Sequence, residues 1–164
     1  MTALFDRIRE ALAPKIGESS VEHGTLVLRI APAALLEVVT SLREQFRFDL
    51  FSDVTAVDWL GQEPRFEVVW HFYSTAHKLR VRIKARVPEA EPSVATLIGI
   101  YGAAHIMERE CHEMYGIVFA GNPDLRPILL YEGFKGHPLR KDYPKEREQP
   151  LVPYRAGYEM PSGE

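Results

Sequence analysis

Three residues with metal-ligand side chains, His105, Glu108 and His112, stand at i, i+3 and i+7, which puts them on one face of any helix spanning 104–115. Two imidazoles and a carboxylate are a donor set for zinc or a related divalent ion. The local pattern argues against it. His112-Glu-Met-Tyr-Gly116 lacks the second histidine of an HExxH site, the chain has no Glu-x-x-His pair, and no sequence-remote fourth ligand suggests itself. The face therefore reads as polar or buried in ion pairs, and no metal ligand is assigned. Cys111 falls on a separate apolar stripe with Met107, Met114 and Tyr115, where a thiol behaves as a small hydrophobe rather than a nucleophile. As the single cysteine it supplies no internal disulfide and no four-thiolate zinc or iron–sulfur site. Glycine-rich phosphate loops and a Gly-x-Ser-x-Gly elbow are also missing, so no catalytic or cofactor-binding residue is assigned.

A second cluster is electrostatic. In the run 78–87, Leu79, Val81, Ile83 and Ala85 alternate with Lys78, Arg80, Arg82, Lys84 and Arg86, which gives one strand an apolar face and a face of five cations. One reading is a solvated or edge strand whose charges discourage strand addition. The other is a patch for an acidic partner surface or for nucleic acid. Sheet-based nucleic-acid binding needs stacking aromatics on the same face, and only Tyr73 is an obvious candidate, so no nucleic-acid partner is expected. The formal net charge of −3 agrees.

The elements that would position these residues follow from the pattern. Leu4, Phe5, Ile8, Ala11 and Leu12 mark a short amphipathic helix that ends near Pro14, and 21–30 reads as a hairpin broken at His23-Gly24. Leu35, Leu36, Val39, Leu42 and Phe46 mark a second helix after Pro32. Runs 48–59, 65–74 and 78–87 are β-rich and joined by loops short enough for an antiparallel meander. Ser93 is expected to cap a short helix through Ile100, and 104–115 to form another. The order predicts an α+β fold: a mostly antiparallel or mixed sheet with helices packed on one face, followed by an extended Pro/Gly-rich C-terminal tail.

The expected division is a globular domain over 1–120 and a tail over 121–164. The tail holds 7 of the 12 prolines and 5 of the 11 glycines, too many for long helices or central strands. It also carries Leu125, Ile128, Leu129, Leu130, Tyr131, Phe134, Leu139 and Tyr143, too much apolar surface for a free linker. Such a segment folds back on its own domain or wraps a partner. Its seven basic and seven acidic residues favour specific ion pairs over general anion binding. Asp6, Arg7, Arg9 and Glu10 interrupt the N-terminal stretch where a signal peptide needs an apolar run, and no stretch approaches a membrane span. A reducing, cytoplasmic compartment is expected, with any membrane association made through other chains.

Glu108-Arg-Glu-Cys-His-Glu-Met-Tyr-Gly-Ile117, Gly121-x-Pro-Asp-Leu-Arg126 and Gly136-His-Pro-Leu-Arg-Lys-Asp-Tyr-Pro144 together resemble the signature of the 30 kDa subunit family of respiratory NADH:quinone oxidoreductase, or complex I. Upstream, Asp53-Val-Thr-Ala-Val-Asp-Trp59, Arg65-Phe-Glu-Val-Val-Trp-His71 and Pro92-Ser-Val-Ala-Thr-Leu97 extend the likeness to roughly 42–144. Asn122 and Pro127 depart from the family pattern, as do Cys111, His112 and Glu113.

The resemblance implies a non-catalytic structural subunit of the peripheral arm, at the cytoplasmic face of a bacterial inner membrane. It docks on the quinone-site and terminal iron–sulfur subunits, beside further peripheral-arm subunits. It implies no cofactor in this chain, with FMN and iron–sulfur clusters on other subunits. Glu108, Arg109, Glu110, Asp124, Arg126, His137, Arg140, Lys141, Asp142 and Tyr143 are the expected partner-interface residues. Among them Arg126, Arg140, Lys141 and Asp142 are expected to pair with partner charges, while Gly121 and Gly136 permit tight turns. The equivalent subunit of a membrane-bound [NiFe] hydrogenase or formate hydrogenlyase is the alternative, since these complexes share the scaffold.

Overall fold

The computed structural model describes residues 2–146. Tail residues from 147 onward, including Arg147, Glu148, Arg155, Glu159 and Glu164, lie outside the described residues. Helix α1 (Thr2–Leu12) leads into a hairpin of β1 (Ile16–Glu22) and β2 (Thr25–Ile30), followed by α2 (Leu35–Glu44). The meander β3 (Leu50–Asp58), β4 (Phe66–Ser74) and β5 (Leu79–Val87) comes next, then a short strand β6 (Ser93–Ala95), α3 (Ala104–Tyr115) and β7 (Val118–Ala120).

The α+β expectation holds, and the sheet is mixed. Its order is β1-β2-β5-β4-β3, antiparallel throughout except where β2 runs parallel to β5. β5 is therefore an interior strand with neighbours on both sides, which corrects its reading as an edge strand. Lys78 is not part of the row; it occupies the turn before β5 with φ 54°.

The helices close one face because their apolar residues recur at helical spacing. Phe5, Ile8 and Leu12 of α1 and Leu35, Val38, Val39 and Leu42 of α2 are buried against Leu26, Leu28, Val68, Trp70, Phe72, Val81 and Ile83 of the sheet. Each such side chain contributes about 1.5–3 kcal/mol of transfer free energy. α3 packs against β3, the strand at one edge of the sheet.

The helix expected from Ser93 to Ile100 is not formed. Ser93–Ala95 is instead a strand, paired in parallel with β7 at Val94↔Phe119, and the chain turns at Leu97–Tyr101. A strand pair made with residues some twenty-five positions away outcompetes a weak local helical pattern that begins directly after Pro92.

Candidate docking site

The residues of the signature motifs converge on α3, which serves as a spine for residues 121–142. Glu108 comes first. Its stripe on α3 (Ala104, Glu108, Cys111) faces the core, so its carboxylate is fully buried and must be satisfied by hydrogen bonds. It accepts from Thr96 Oγ1 at 2.6 Å, the Leu97 amide at 2.7 Å and Asn122 Nδ2 at 2.9 Å. The start of the tail is thereby tied to the β6 turn. The sequence reads this face as polar or buried in ion pairs; Glu108 instead shares the buried stripe with Cys111, is satisfied by neutral donors, and is wholly buried within this chain. Asn122, a departure from the family pattern, is one of its ligands.

The next residue, Arg109, donates from Nε to the Arg126 carbonyl at 2.9 Å and from Nη2 to the Pro127 carbonyl at 3.0 Å. Arg126 pairs with Asp124 in its own segment through two bonds of 2.9 and 2.8 Å, and this holds the Asp124 carboxyl far below the ordinary carboxylate range. Glu113, also buried, receives the amides of Ile128, Leu129 and Leu130 at 3.2, 2.9 and 2.8 Å. Three successive backbone N–H groups on one carboxylate fix the path of an irregular segment that has no ladder of its own.

The C-terminus of α3 completes the strap. The last carbonyls of a helix have no intrahelical donors. Here the His137 ring Nδ1 donates to Glu113 O at 2.8 Å, the Leu139 amide to Met114 O at 3.1 Å, and Arg140 Nε to Tyr115 O at 2.6 Å. A cation at this end also opposes the negative pole of the helix dipole. Burial keeps His137 below its ordinary pKa, so it is neutral at pH 7 and a single protonated nitrogen suffices for its bond. His112 donates from Nδ1 to Ile117 O at 2.8 Å. His105, Glu108 and His112 do not converge, and among the described residues no group of three His, Cys, Asp or Glu is placed to hold a metal ion. Cys111 is buried, and its surroundings push its thiol pKa upward, as befits a packing residue.

Gly116 permits this close approach. It ends α3 in the left-handed region at φ 77°, and a Cβ there would fall 2.6 Å from His137 Nε2. Gly116→Ala is expected to lower the melting temperature and to make residues 137–142 more protease-sensitive. Gly116→Asn separates the causes: it tolerates the backbone angle, so protease sensitivity equal to that of the alanine variant identifies crowding as the reason. The expected turns at Gly121 and Gly136 are present, with φ 93° and 99°.

The strap ends on a buried cation that local sequence reasoning did not single out. The Arg65 side chain, 3% exposed, makes a two-pronged bond to Asp58 with both distances 2.8 Å, reaches Glu89 at 2.6 Å, and meets Asp142 at 2.9 and 3.0 Å. Lys141 adds its amide to Asp58 Oδ2 at 2.8 Å. Arg65 and Arg140 both lie 4.9 Å from the Phe66 ring centroid. Asp142 is therefore paired within the chain, although pairing with a partner is the sequence expectation. Asp58 and Asp142 stand 7 and 77 positions from Arg65 in the chain, and nothing local connects them to it.

Comparison with known proteins gives this geometry its context. The family model for the respiratory-chain NADH dehydrogenase 30 Kd subunit matches residues 28–149. The chain belongs to that family. Its relatives there include the C-type subunit of NADH-quinone oxidoreductase from Geotalea uraniireducens (strain Rf4), 41% identical over 138 residues that make up 84% of each chain. Another is the C-type subunit of the same enzyme from Roseiflexus sp. (strain RS-1), 40% identical over 89% of this chain and 85% of that one. Among solved structures, the trypsin-resistant fragment (1-134) of Nqo5 superposes with a TM-score of 0.64 at 24% identity, covering 76% of this chain and 98% of that one, a likeness of fold. A chain of the membrane-bound sulfane sulfur reductase, an archaeal respiratory membrane complex, superposes with a TM-score of 0.78 at 26% identity, over 88% and 86%. Its relatives are subunits of NADH-quinone oxidoreductase, and no helix among the described residues is long and apolar enough to cross a membrane.

Proposed function

We propose that the chain is a non-catalytic assembly subunit of a proton-translocating NADH:quinone oxidoreductase. It docks at the cytoplasmic face of the membrane on the quinone-site and terminal iron–sulfur subunits, with FMN and the iron–sulfur clusters carried elsewhere. The observation that supports this is the strap itself. α3 holds residues 122–140 by side-chain and backbone bonds, yet the strap turns Leu129 (63% exposed), Leu139 (51%) and Ile128 (38%) outward. Exposed leucines on a rigidly held irregular segment are the makings of an interface core, because their ordering cost is met before binding. Glu110, Arg126 and Lys141 are exposed around them and provide a charged rim, while Glu108, Arg109, Asp124, His137, Arg140 and Asp142 hold the strap in place.

The likeness to the sulfane sulfur reductase chain favours a second reading, in which the same scaffold serves a respiratory membrane complex with another electron donor, such as a hydrogenase. Native electrophoresis of mildly solubilised membranes from cells with an N-terminally tagged copy separates the two. A large tagged band that reduces dye with NADH is expected. A band active with hydrogen instead transfers the chain to the second reading, and a small species with neither activity refutes both.

A further inference from the structure

The cation row on β5 divides into two groups. Lys84 is paired with Glu67 at 3.3 Å, both largely buried, and Arg86 is bound to the Pro64 carbonyl and to Gln62 Oε1 at 3.1 Å. Arg80 and Arg82, toward the other end, have no comparable anchors. Arg80 is exposed and makes only a stacking contact with Tyr73 at 5.6 Å, with no ion pair among the described residues. Arg82 has a loose approach to Glu22 at 3.8 Å, and its Nε is buried with no acceptor. A buried guanidinium N–H without an acceptor is a standing cost that an incoming oxygen removes.

Register places these groups at one cleft. Thr25 pairs with Arg80, Arg82 with His71, and His71 with Asp53, across β2, β5, β4 and β3 on the face away from the helices. Together with Ser52 they line a cleft of about 270 Å³. Arg80 and Arg82 are alternate residues of one strand, so their stems rise about 7 Å apart and their guanidinium forks can converge on one carboxylate. Asp53 repels an anion on the β3 side, and on the β1 side Glu22 makes only its loose 3.8 Å approach to Arg82, so an incoming carboxylate seats over Arg80 and competes with Glu22 for Arg82. Desolvation, with Arg82 adding to it, keeps His71 below its ordinary pKa, so at pH 7 it offers a neutral N–H.

We propose that this cleft seats an aspartate or glutamate from an acidic segment of a neighbouring subunit in the assembled complex, clamped by Arg80 and Arg82. The inference rests on the assembly role above and adds a second docking surface on the open face of the sheet, apart from the α3 strap. An interior strand needs no charges to deter pairing, so edge protection does not account for this pair.

The test uses the full-length tagged chain in its native complex. Arg80→Glu, at an exposed position, is expected to reduce co-purification of the other subunits at least tenfold at low salt. Lys78→Glu, two residues earlier in the turn before β5 and outside the cleft, leaves it unchanged. Arg80→Gln is expected to fall between, and thermal melts of the isolated variants confirm that each folds. A photo-crosslinking amino acid at Tyr73 should join the chain to an acidic peptide of another subunit. Arg80→Glu co-purifying as well as wild type overturns the proposal while leaving the assembly role standing. A cross-link to residues 147–164 of the chain itself, or none to protein, overturns it equally. Wild type that co-purifies with no other subunit overturns the assembly role and this inference together.

Discussion

Arg65→Ala is expected to destabilise the folded chain by about 3–5 kcal/mol, the cost typical of breaking a buried ion pair from one side. The size comes from what is left behind. Asp58, with 1% of its side chain exposed, keeps its charge and one amide from Lys141 but loses both prongs of the guanidinium fork. Asp142 and Glu89 are about half exposed and add little by themselves. Arg65→Lys keeps the charge without the fork and should fall between wild type and alanine. Pairing Arg65→Met with Asp58→Leu should recover much of the loss, since neither charge is then stranded.

Acid provides a further check. Hydrogen bonding to Arg65 is the main cause holding both Asp58 and Asp142 below the ordinary carboxylate range. A folded pKa below the unfolded value of about 3.9 gives stability that is complete above that value and is lost as pH falls through the folded one. Wild-type stability should therefore fall with acid below about pH 4, and Arg65→Ala should lose most of that slope. Urea midpoints at pH 7 and across the acid range measure both effects. A variant within about 1 kcal/mol of wild type at pH 7 would show that the network contributes nothing net.

Ending the chain after Ala120 is expected to abolish assembly. The truncated chain keeps the five-stranded sheet and its core, so it should still fold, but with α3 uncapped and Glu113 stripped of its three amides. A stability loss of about 1–3 kcal/mol is expected, because the freed groups are rehydrated. On a native gel the tagged, truncated chain should be missing from the large band while near-ultraviolet circular dichroism still shows packed aromatics. Its entry into a full-size, NADH-active complex would refute the docking role of the strap.

Elements whose evidence is local were legible in the sequence. α1, α2 and α3 announce themselves by apolar spacing, and β3, β4 and β5 by alternation joined through short loops. What escaped is what depends on distant partners. Nothing near Ser93 says that Val94 will pair with Phe119, and nothing in the alternation of β5 says that β2 will lie alongside it in parallel. The motif residues were found through family likeness, yet the division of labour among them was not. Glu108 and Glu113 look like any exposed helix acids until the fold turns them onto backbone amides of the β6 turn and the tail, and Arg65 gives no sign of the carboxylates that it will meet.

The parallel pairing of β2 with β5 also bears on how the chain is made. The first hairpin leaves the ribosome about fifty residues ahead of the strand that completes its pairing. At ordinary elongation speeds that is a wait of roughly 2–10 s. Once β5 has emerged, β3, β4 and β5 can zip together through short loops, whereas joining β2 to β5 closes a loop of about fifty residues, so the topology makes that long-range closure the slower event. Until it occurs, Leu26, Val27 and Leu28 are paired on the β1 side alone, and the open edge of β2 leaves the nascent chain exposed to chaperone capture or to misassociation with another copy of itself.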